Sequence, residues 1–333
     1  MKIKFVLILI ILVSAISVAA DQQKRGQTGF KFLNVATDPR MVAMGEAGTA
    51  IEGSSSSMFF NPASMAWMKT MVDGQVGQVQ WFADINYQYG AIAFAPSNGD
   101  FGVVGFSMQY ADYGEITRTI RTDLGEGYLD LGTFHPIALQ AGLSYARALS
   151  DRFAVGGNVK YTLQDLGNGV NGLNAQDNPL ASKNSTDVVA FDFGMYYKTG
   201  LKSLNFAVSV RNFSQEVKYE REGFQLPLIF RVGVAFNAMD LITEDKDADA
   251  FLISIDATHP RDFSEQVNIG GEYTFIKIFA LRAGYMFNND LYNFTAGAGV
   301  HHSIEGVDFG VDYSYTPYDK LGTVNRFSVQ FNF

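Results

Sequence analysis

The chain ends with the sequence Arg326-Phe327-Ser328-Val329-Gln330-Phe331-Asn332-Phe333, in which polar and apolar residues alternate without a break. Successive side chains of a β-strand point to opposite faces, so this stretch predicts a strand with one apolar and one polar face. Its final residue, Phe333, is aromatic and lies in phase with the apolar face.

The same alternation recurs from about Met71 to the end of the chain in segments of about ten residues. We count fourteen such segments, with centres near residues 76, 89, 105, 142, 157, 193, 207, 232, 254, 270, 282, 297, 311 and 328. An even number of long, alternating strands is typical of a bacterial transmembrane β-barrel. A closed barrel also pairs every backbone amide that would otherwise lie unpaired in lipid.

A soluble β-sandwich or β-propeller is the alternative, but its strands average only about 5–6 residues. The spacing also favours a barrel that starts at the periplasmic side. The longest connections, residues 111–135, 166–186 and 212–225, follow odd strands, whereas the tight ones, 96–100, 150–151, 199–200 and 275–277, follow even strands. The connection 237–249 departs from this rule. We therefore predict an all-β fold, a 14-stranded antiparallel transmembrane barrel over residues 70–333.

The first twenty residues have the order of a secretory signal peptide. Lys2 and Lys4 precede an apolar run from Phe5 to Val13, and small residues lead to Ala20. The apolar run is short for a membrane anchor, which is the alternative. We predict a signal peptide over residues 1–20 and an outer-membrane location. The net charge of −9 argues against nucleic-acid binding, and the absence of cysteine excludes disulfides.

The segment between the signal peptide and the barrel, residues 21–69, predicts a small, partly helical plug inside the barrel. Asn61 can cap a short helix that Pro62 opens, directly before Ala63. These three residues either shape the plug or gate the lumen. Five apolar neighbours either line a pocket or pack the plug against the wall: Phe59, Phe60, Met65, Trp67 and Met68.

Charged residues occupy the polar phase of the predicted strands. They should face the lumen, because a charge at the lipid midplane costs roughly 2–4 kcal/mol. They either form ion pairs that stiffen the barrel and anchor the plug, or line a polar conduit. The residues are Lys160, Asp192, Arg211, Arg231, Asp256, Glu272, Arg282, Asp308, Asp312 and Arg326.

The predicted outer loops carry aromatic residues that either hold a protein partner or fold over the barrel mouth. They are Tyr113, Tyr128, Phe134, Tyr219 and Phe224. His301 and His302 are adjacent on a strand and point to opposite faces, so they cannot both bind one metal without a bend. With no nucleophile motif or phosphate loop, we predict no enzyme activity, no cofactor and no metal.

Three runs in the plug segment carry a family resemblance: 29–35 (GFKFLNV), 39–47 (PRMVAMGEA) and 58–65 (MFFNPASM). They resemble the N-terminal signature of the PorV/PorQ group. This group is similar to the FadL-type transporters of hydrophobic compounds, which share the Asn-Pro-Ala motif and a 14-stranded barrel with an N-terminal hatch. The group usually has Gly-Gly near Gly45-Glu46, and often Gly at the position of Ser64.

The resemblance implies an accessory or shuttle protein of type IX-like secretion and surface attachment, which binds protein partners through its extracellular loops. The alternative that it implies is FadL-like passive uptake of a hydrophobic ligand, and a group member of undefined role is a third interpretation. It also implies outer-membrane lipid and the barrel-assembly machinery as partners, with terminal Phe333 as the assembly signal.

Overall fold

A computed structural model of the chain describes residues 26–121, 127–174, 179–219, 222–242 and 249–333. The predicted signal peptide, residues 1–20, lies outside the described residues. No helix in the described ranges is long and apolar enough to cross a membrane.

Fourteen antiparallel strands form a closed barrel, which confirms the predicted fold class. Each predicted strand centre lies within a different barrel strand. In chain order the described strands are β1 (Val72–Gln80), β2 (Asn86–Phe94), β3 (Val103–Asp112), β4 (Ile116–Arg121), β5 (Tyr128–Phe134), β6 (Ile137–Ala148), β7 (Phe153–Leu173), β8 (Pro179–Lys198), β9 (Asn205–Ser214), β10 (Val217–Lys218), β11 (Gly223–Phe224), β12 (Ile229–Asn237), β13 (Ala250–Pro260), β14 (Gln266–Phe275), β15 (Phe279–Phe287), β16 (Phe294–Ile304), β17 (Val307–Tyr318) and β18 (Gly322–Asn332).

The barrel closes where β1 pairs with β18, and the remaining four strands form two small hairpins, β4–β5 and β10–β11, outside the wall. Both hairpins lie in connections that we predicted as loops. The predicted loop 166–186 is wrong over most of its length, because β7 and β8 continue as a paired ribbon from Asn168 with Lys183 to Leu173 with Pro179. Backbone pairing between these two strands therefore extends well beyond the length that a membrane requires.

One end of the barrel carries the long connections and the other carries mostly short turns. We call these the outer end and the periplasmic end, because barrels of this class have long extracellular loops and short periplasmic turns. The connection from β12 to β13 lies at the periplasmic end and contains a short 3-10 helix at Ala238–Leu241. It is the exception noted from the sequence, and it does not change the strand count.

The two faces of the wall differ as the alternation predicts. In β18, Phe327 and Val329 are 50% and 40% exposed on the outside, whereas Arg326 and Ser328 are buried on the inside. The outward side chains of the other strands are also mostly large and apolar. Such a continuous apolar surface requires lipid around it. The chain is an outer-membrane protein.

The plug comprises the described residues before β1 and lies inside the barrel, where most of its side chains are buried. It contains a short helix α1 (Pro39–Ala43) and 3-10 helices η1 (Lys31–Asn34), η2 (Ser55–Phe59) and η3 (Pro62–Trp67). Asp38 caps α1 by accepting hydrogen bonds from the amides of Arg40 and Met41. Burial raises the pKa of this carboxyl, and hydrogen bonds with the Ser56 side chain and the Met41 amide oppose that shift.

Candidate functional site: the plugged lumen

Asn61 joins two parts of the plug to the barrel wall. Its side-chain amide donates to the carbonyl oxygens of Thr49, at 3.0 Å, and Met195 of β8, at 3.2 Å. Its side-chain oxygen accepts from the amide of Ala63 at 3.1 Å and so caps η3, which Pro62 opens. Asn61 is completely buried. The Asn-Pro-Ala motif therefore forms a fixed contact between plug and wall.

Glycines in the wall give this motif room. A Cβ at Gly194 of β8 would lie 1.9 Å from the side-chain oxygen of Asn61, and one at Gly156 of β7 would lie 2.6 Å from the amide nitrogen of Ala63. Real side chains do not tolerate such contacts. The plug backbone therefore packs directly on the backbone of two neighbouring strands at these glycines.

A second glycine contact seats the end of α1. A Cβ at Gly270 of β14 would lie 2.2 Å from the carbonyl oxygen of Met44, and one at Gly284 of β15 would lie 2.0 Å from the amide nitrogen of Gly45. The Thr295 hydroxyl of β16 completes this contact, because it accepts from the amide of Gly45 at 3.0 Å and donates to the carbonyl of Ala43 at 3.1 Å. The plug is thus attached to two separate arcs of the wall.

A buried ion network links α1 to three wall strands. Glu272 of β14 accepts hydrogen bonds from Arg40 of the plug, at 2.8 and 2.6 Å, and from Arg282 of β15. Arg282 also pairs with Asp312 of β17, which lies 3.2 Å from His301. Within this network each of the two arginines has a carboxylate partner. The pairing offsets part of the cost of burying the charges.

Further lumen charges hold other parts of the plug. Glu46 of the plug pairs with Arg231 of β12 at 3.0 Å and accepts from the Tyr292 hydroxyl at 2.7 Å. Asp256 of β13 accepts from both the amide and the hydroxyl of Thr49, at 3.0 and 2.6 Å.

Arg326 of β18 donates to the carbonyl of Ala36 at 2.9 Å. Four of the ten lumen charges in the prediction thus contact the plug directly: Arg231, Asp256, Glu272 and Arg326.

The other predicted charges connect wall strands. Lys160 and Asp192 form a fully buried pair at 2.7 Å between β7 and β8. Asp192 also accepts from the amide of Asn212, which has a left-handed backbone at a bulge in β9. This bulge turns both Arg211 and Asn212 inward, and both are buried. Asp308 is exposed near the periplasmic end of β17.

The five predicted apolar residues pack between plug and wall. Phe59 contacts Tyr89 of β2 edge-to-face, with ring centroids 5.7 Å apart. Phe60 lies under the Arg231 guanidinium, and Met65 is fully buried in the same core. Trp67 packs on Tyr196 of β8 with Lys198 over its ring at 3.9 Å. Met68 is partly buried against the core that contains Phe59, Phe60 and Met65.

Most of the predicted loop aromatics fold over the outer mouth. Tyr219 stacks on Phe224 with centroids 5.2 Å apart, and Phe224 contacts Phe30 of the plug. Tyr113 also packs against the buried apolar cluster that contains Phe30 and Phe32. Phe134 lies under Arg118 in the β4–β5 hairpin. Tyr128, in contrast, is 53% exposed.

The wall itself is continuous on the side of the first strands. β3 pairs with β2 from Asn86 with Asp112 to Phe94 with Val104, and with β6 from Val103 with Ala146 to Asp112 with Ile137, without a register shift. Among the described barrel pairs, shifts occur only between β7 and β8 and between β8 and β9. The described lumen is therefore filled by the plug and enclosed by an unbroken wall.

A family model described as type IX secretion system protein PorV matches residues 18–259. The chain belongs to the PorV family. This match extends from before the plug into β13, well beyond the three motif runs that first suggested it.

Solved structures similar to this PorV-family chain include two toluene transporters and a FadL homologue. The toluene transporter TbuX of Ralstonia pickettii is 12% identical, with a TM-score of 0.57, over 92% of this chain and 98% of its own. The toluene transporter TodX of Pseudomonas putida is also 12% identical, with a TM-score of 0.57, over 93% of this chain and 98% of its own. A FadL homologue of Pseudomonas aeruginosa is 11% identical, with a TM-score of 0.53, over 90% of this chain and 98% of its own. At these identities the likeness shows the fold. No curated protein matches the sequence.

Proposed function

We propose that this protein is an accessory or shuttle barrel of type IX-like protein secretion, which binds protein partners at its outer end. Membership of the PorV family supports this assignment. The proposal uses the barrel as a membrane-anchored platform rather than as a conduit.

The seating of the plug is the observation that carries the proposal. The backbone of Ala63 and Gly45 rests directly on wall glycines, and ion pairs hold Arg40 and Glu46 of the plug to the wall. Opening a path would break several buried hydrogen bonds at once. Each buried polar group left unpaired costs about 1–3 kcal/mol. A plug bonded in this way suits a closed barrel.

The outer end offers a surface for partners. The β7–β8 ribbon and the β4–β5 hairpin project from the wall, and Tyr128 and Leu129 are 53% and 44% exposed on that hairpin. Exposed tyrosine side chains such as that of Tyr128 are typical anchors of protein interfaces. We assign partner binding to this hairpin.

Affinity purification from native outer membranes in mild detergent tests the proposal. We expect the intact protein to bring down secreted proteins or other type IX secretion components. The double variant Tyr128→Ser, Leu129→Ser should lose most of this binding. Leu201→Ser is the matched control, because Leu201 is 59% exposed in a periplasmic turn and should leave binding unchanged.

The alternative is passive uptake of hydrophobic small molecules. The shared fold with the two toluene transporters favours it. Protein that brings down no partner but retains a lipid-like ligand, and that speeds hydrocarbon entry into proteoliposomes, would overturn the secretion proposal in favour of transport.

A further inference from the structure

The lipid-facing wall has an apolar hollow of about 700 Å³ across β2, β3, β6 and β7. Its main lining residues are Ile92, Phe94, Val104, Phe106, Leu143 and Tyr145. All six are on outward positions and at least 44% exposed.

Gly157 creates much of this hollow. It is an outward position of β7, and its partner across the ladder is Tyr145 of β6. A Cβ there would meet only the carbonyl oxygen of Asp192, at 3.6 Å, so the space beyond Gly157 is open. The Tyr145 hydroxyl donates to the carbonyl of Phe101 at 2.8 Å, which fixes one side of the hollow.

The hollow lies in the periplasmic half of the wall. Phe94 is the last residue of β2, Val104 is the second residue of β3, and Tyr145 lies near the end of β6. The turns that join these strands are at the periplasmic end. A lipid in this hollow would therefore belong to the periplasmic leaflet.

A cation lies beside the hollow on the same outward row of β6. Arg147 continues the outward row of Leu143 and Tyr145 toward the periplasmic turn, and its side chain is exposed. In the part of the chain that the structure describes, it is the one lysine or arginine on an outward position of the periplasmic half of the wall. Among the described residues, none forms a hydrogen bond or an ion pair with the Arg147 side chain. An arginine on a lipid-facing strand near the interface can reach the phosphate level.

We propose that this hollow binds one anionic phospholipid of the periplasmic leaflet. An acyl chain lies in the hollow over Gly157, and Arg147 bonds the headgroup phosphate. The positive charge of Arg147 favours an anionic lipid. Because Gly157 has no side chain, an acyl chain can lie directly against the wall at this point. The site is independent of the plug and of the outer loops.

Native mass spectrometry of the full-length protein in nanodiscs tests this site, with phosphatidylethanolamine in excess over phosphatidylglycerol. We expect one retained phosphatidylglycerol on the unmodified barrel. Arg147→Gln should lower its retention about fivefold, since one basic residue at an anionic surface contributes about 1 kcal/mol. Gly157→Leu should abolish retention by filling the hollow.

Two variants serve as controls. Arg121→Gln removes the same charge at the outer end, and Gly90→Leu adds the same side chain at an outward glycine that does not line the hollow. Neither should change retention. The proposal fails if retention is equal in Arg147→Gln, Gly157→Leu and the unmodified protein, or if the controls lose as much lipid as the two test variants.

Discussion

Asn61 and Gly194 meet at a point where a single methyl group would not fit. The amide of Asn61 bonds the carbonyl of Met195, one residue beyond Gly194, so the plug is held to β8 at this point. The glycine is required for close approach rather than for an unusual backbone angle. At the residue scale, the plug fits against the wall because glycines such as Gly194 have no side chain.

Gly194→Ala should therefore destabilise the plug contact. Its Cβ would lie 1.9 Å from the Asn61 oxygen, and overpacking of this kind costs about 1–3 kcal/mol. Guanidinium unfolding followed by Trp67 fluorescence measures the loss, in a Trp81→Phe background that leaves Trp67 as the reporter. Gly157→Ala is the matched control, because its Cβ enters open space. Equal stability of the two variants would contradict the proposed contact.

At the scale of elements, the plug is held by ion pairs as well as by packing. Glu272 joins α1 to β14 and β15, since Arg40 and Arg282 both donate to it. Removing its charge leaves the buried Arg282 and the partly buried Arg40 with one fewer carboxylate partner. Breaking a buried ion pair from one side destabilises a protein far more than breaking an exposed pair does.

Glu272→Gln should lower the free energy of unfolding by about 3–5 kcal/mol, the usual cost of breaking a buried ion pair from one side. Glu265→Gln is the control, because the Glu265–His259 pair has both side chains more than half exposed. Its loss should cost at most about 1 kcal/mol. The unfolding midpoint of the two variants in the same detergent gives the comparison, and a Glu272→Gln midpoint equal to that of the control would refute the anchoring role.

Much of the wall could be predicted from the sequence, because a lipid-facing strand must alternate over its whole length. This is why all fourteen strand centres were correct. The β4–β5 and β10–β11 hairpins were missed, since they have no lipid face to impose alternation. The ribbon from Asn168 to Leu173 was missed for the same reason.

Less of the candidate site could be predicted from the sequence. The Asn61-Pro62 cap was readable from local rules, and charge placement inside the wall follows from the cost of charge in lipid. The ion-pair partners of these charges could not be predicted, because pairs such as Glu272 with Arg40 join residues 232 positions apart. Wall glycines such as Gly194 gave no signal, since nothing local separates a glycine under the plug from one that faces lipid.

At the scale of the whole molecule, the barrel is closed in both senses. The wall is continuous along β1, β2, β3 and β6, and the lumen is filled by a plug that bonds strands on different sides. The outer end carries long paired ribbons, and the periplasmic end carries mostly short turns. Our proposal therefore treats this protein as a surface outside the cell rather than as a path across the membrane.

Planar-bilayer conductance tests this central claim most directly. A variant that lacks residues 26–69 provides the comparison, with its folding checked by heat-dependent migration on gels. Our account predicts that the intact protein leaves the bilayer at its protein-free conductance, whereas the variant without the plug gives resolved open steps. Stable open steps from the intact protein would contradict a sealed lumen.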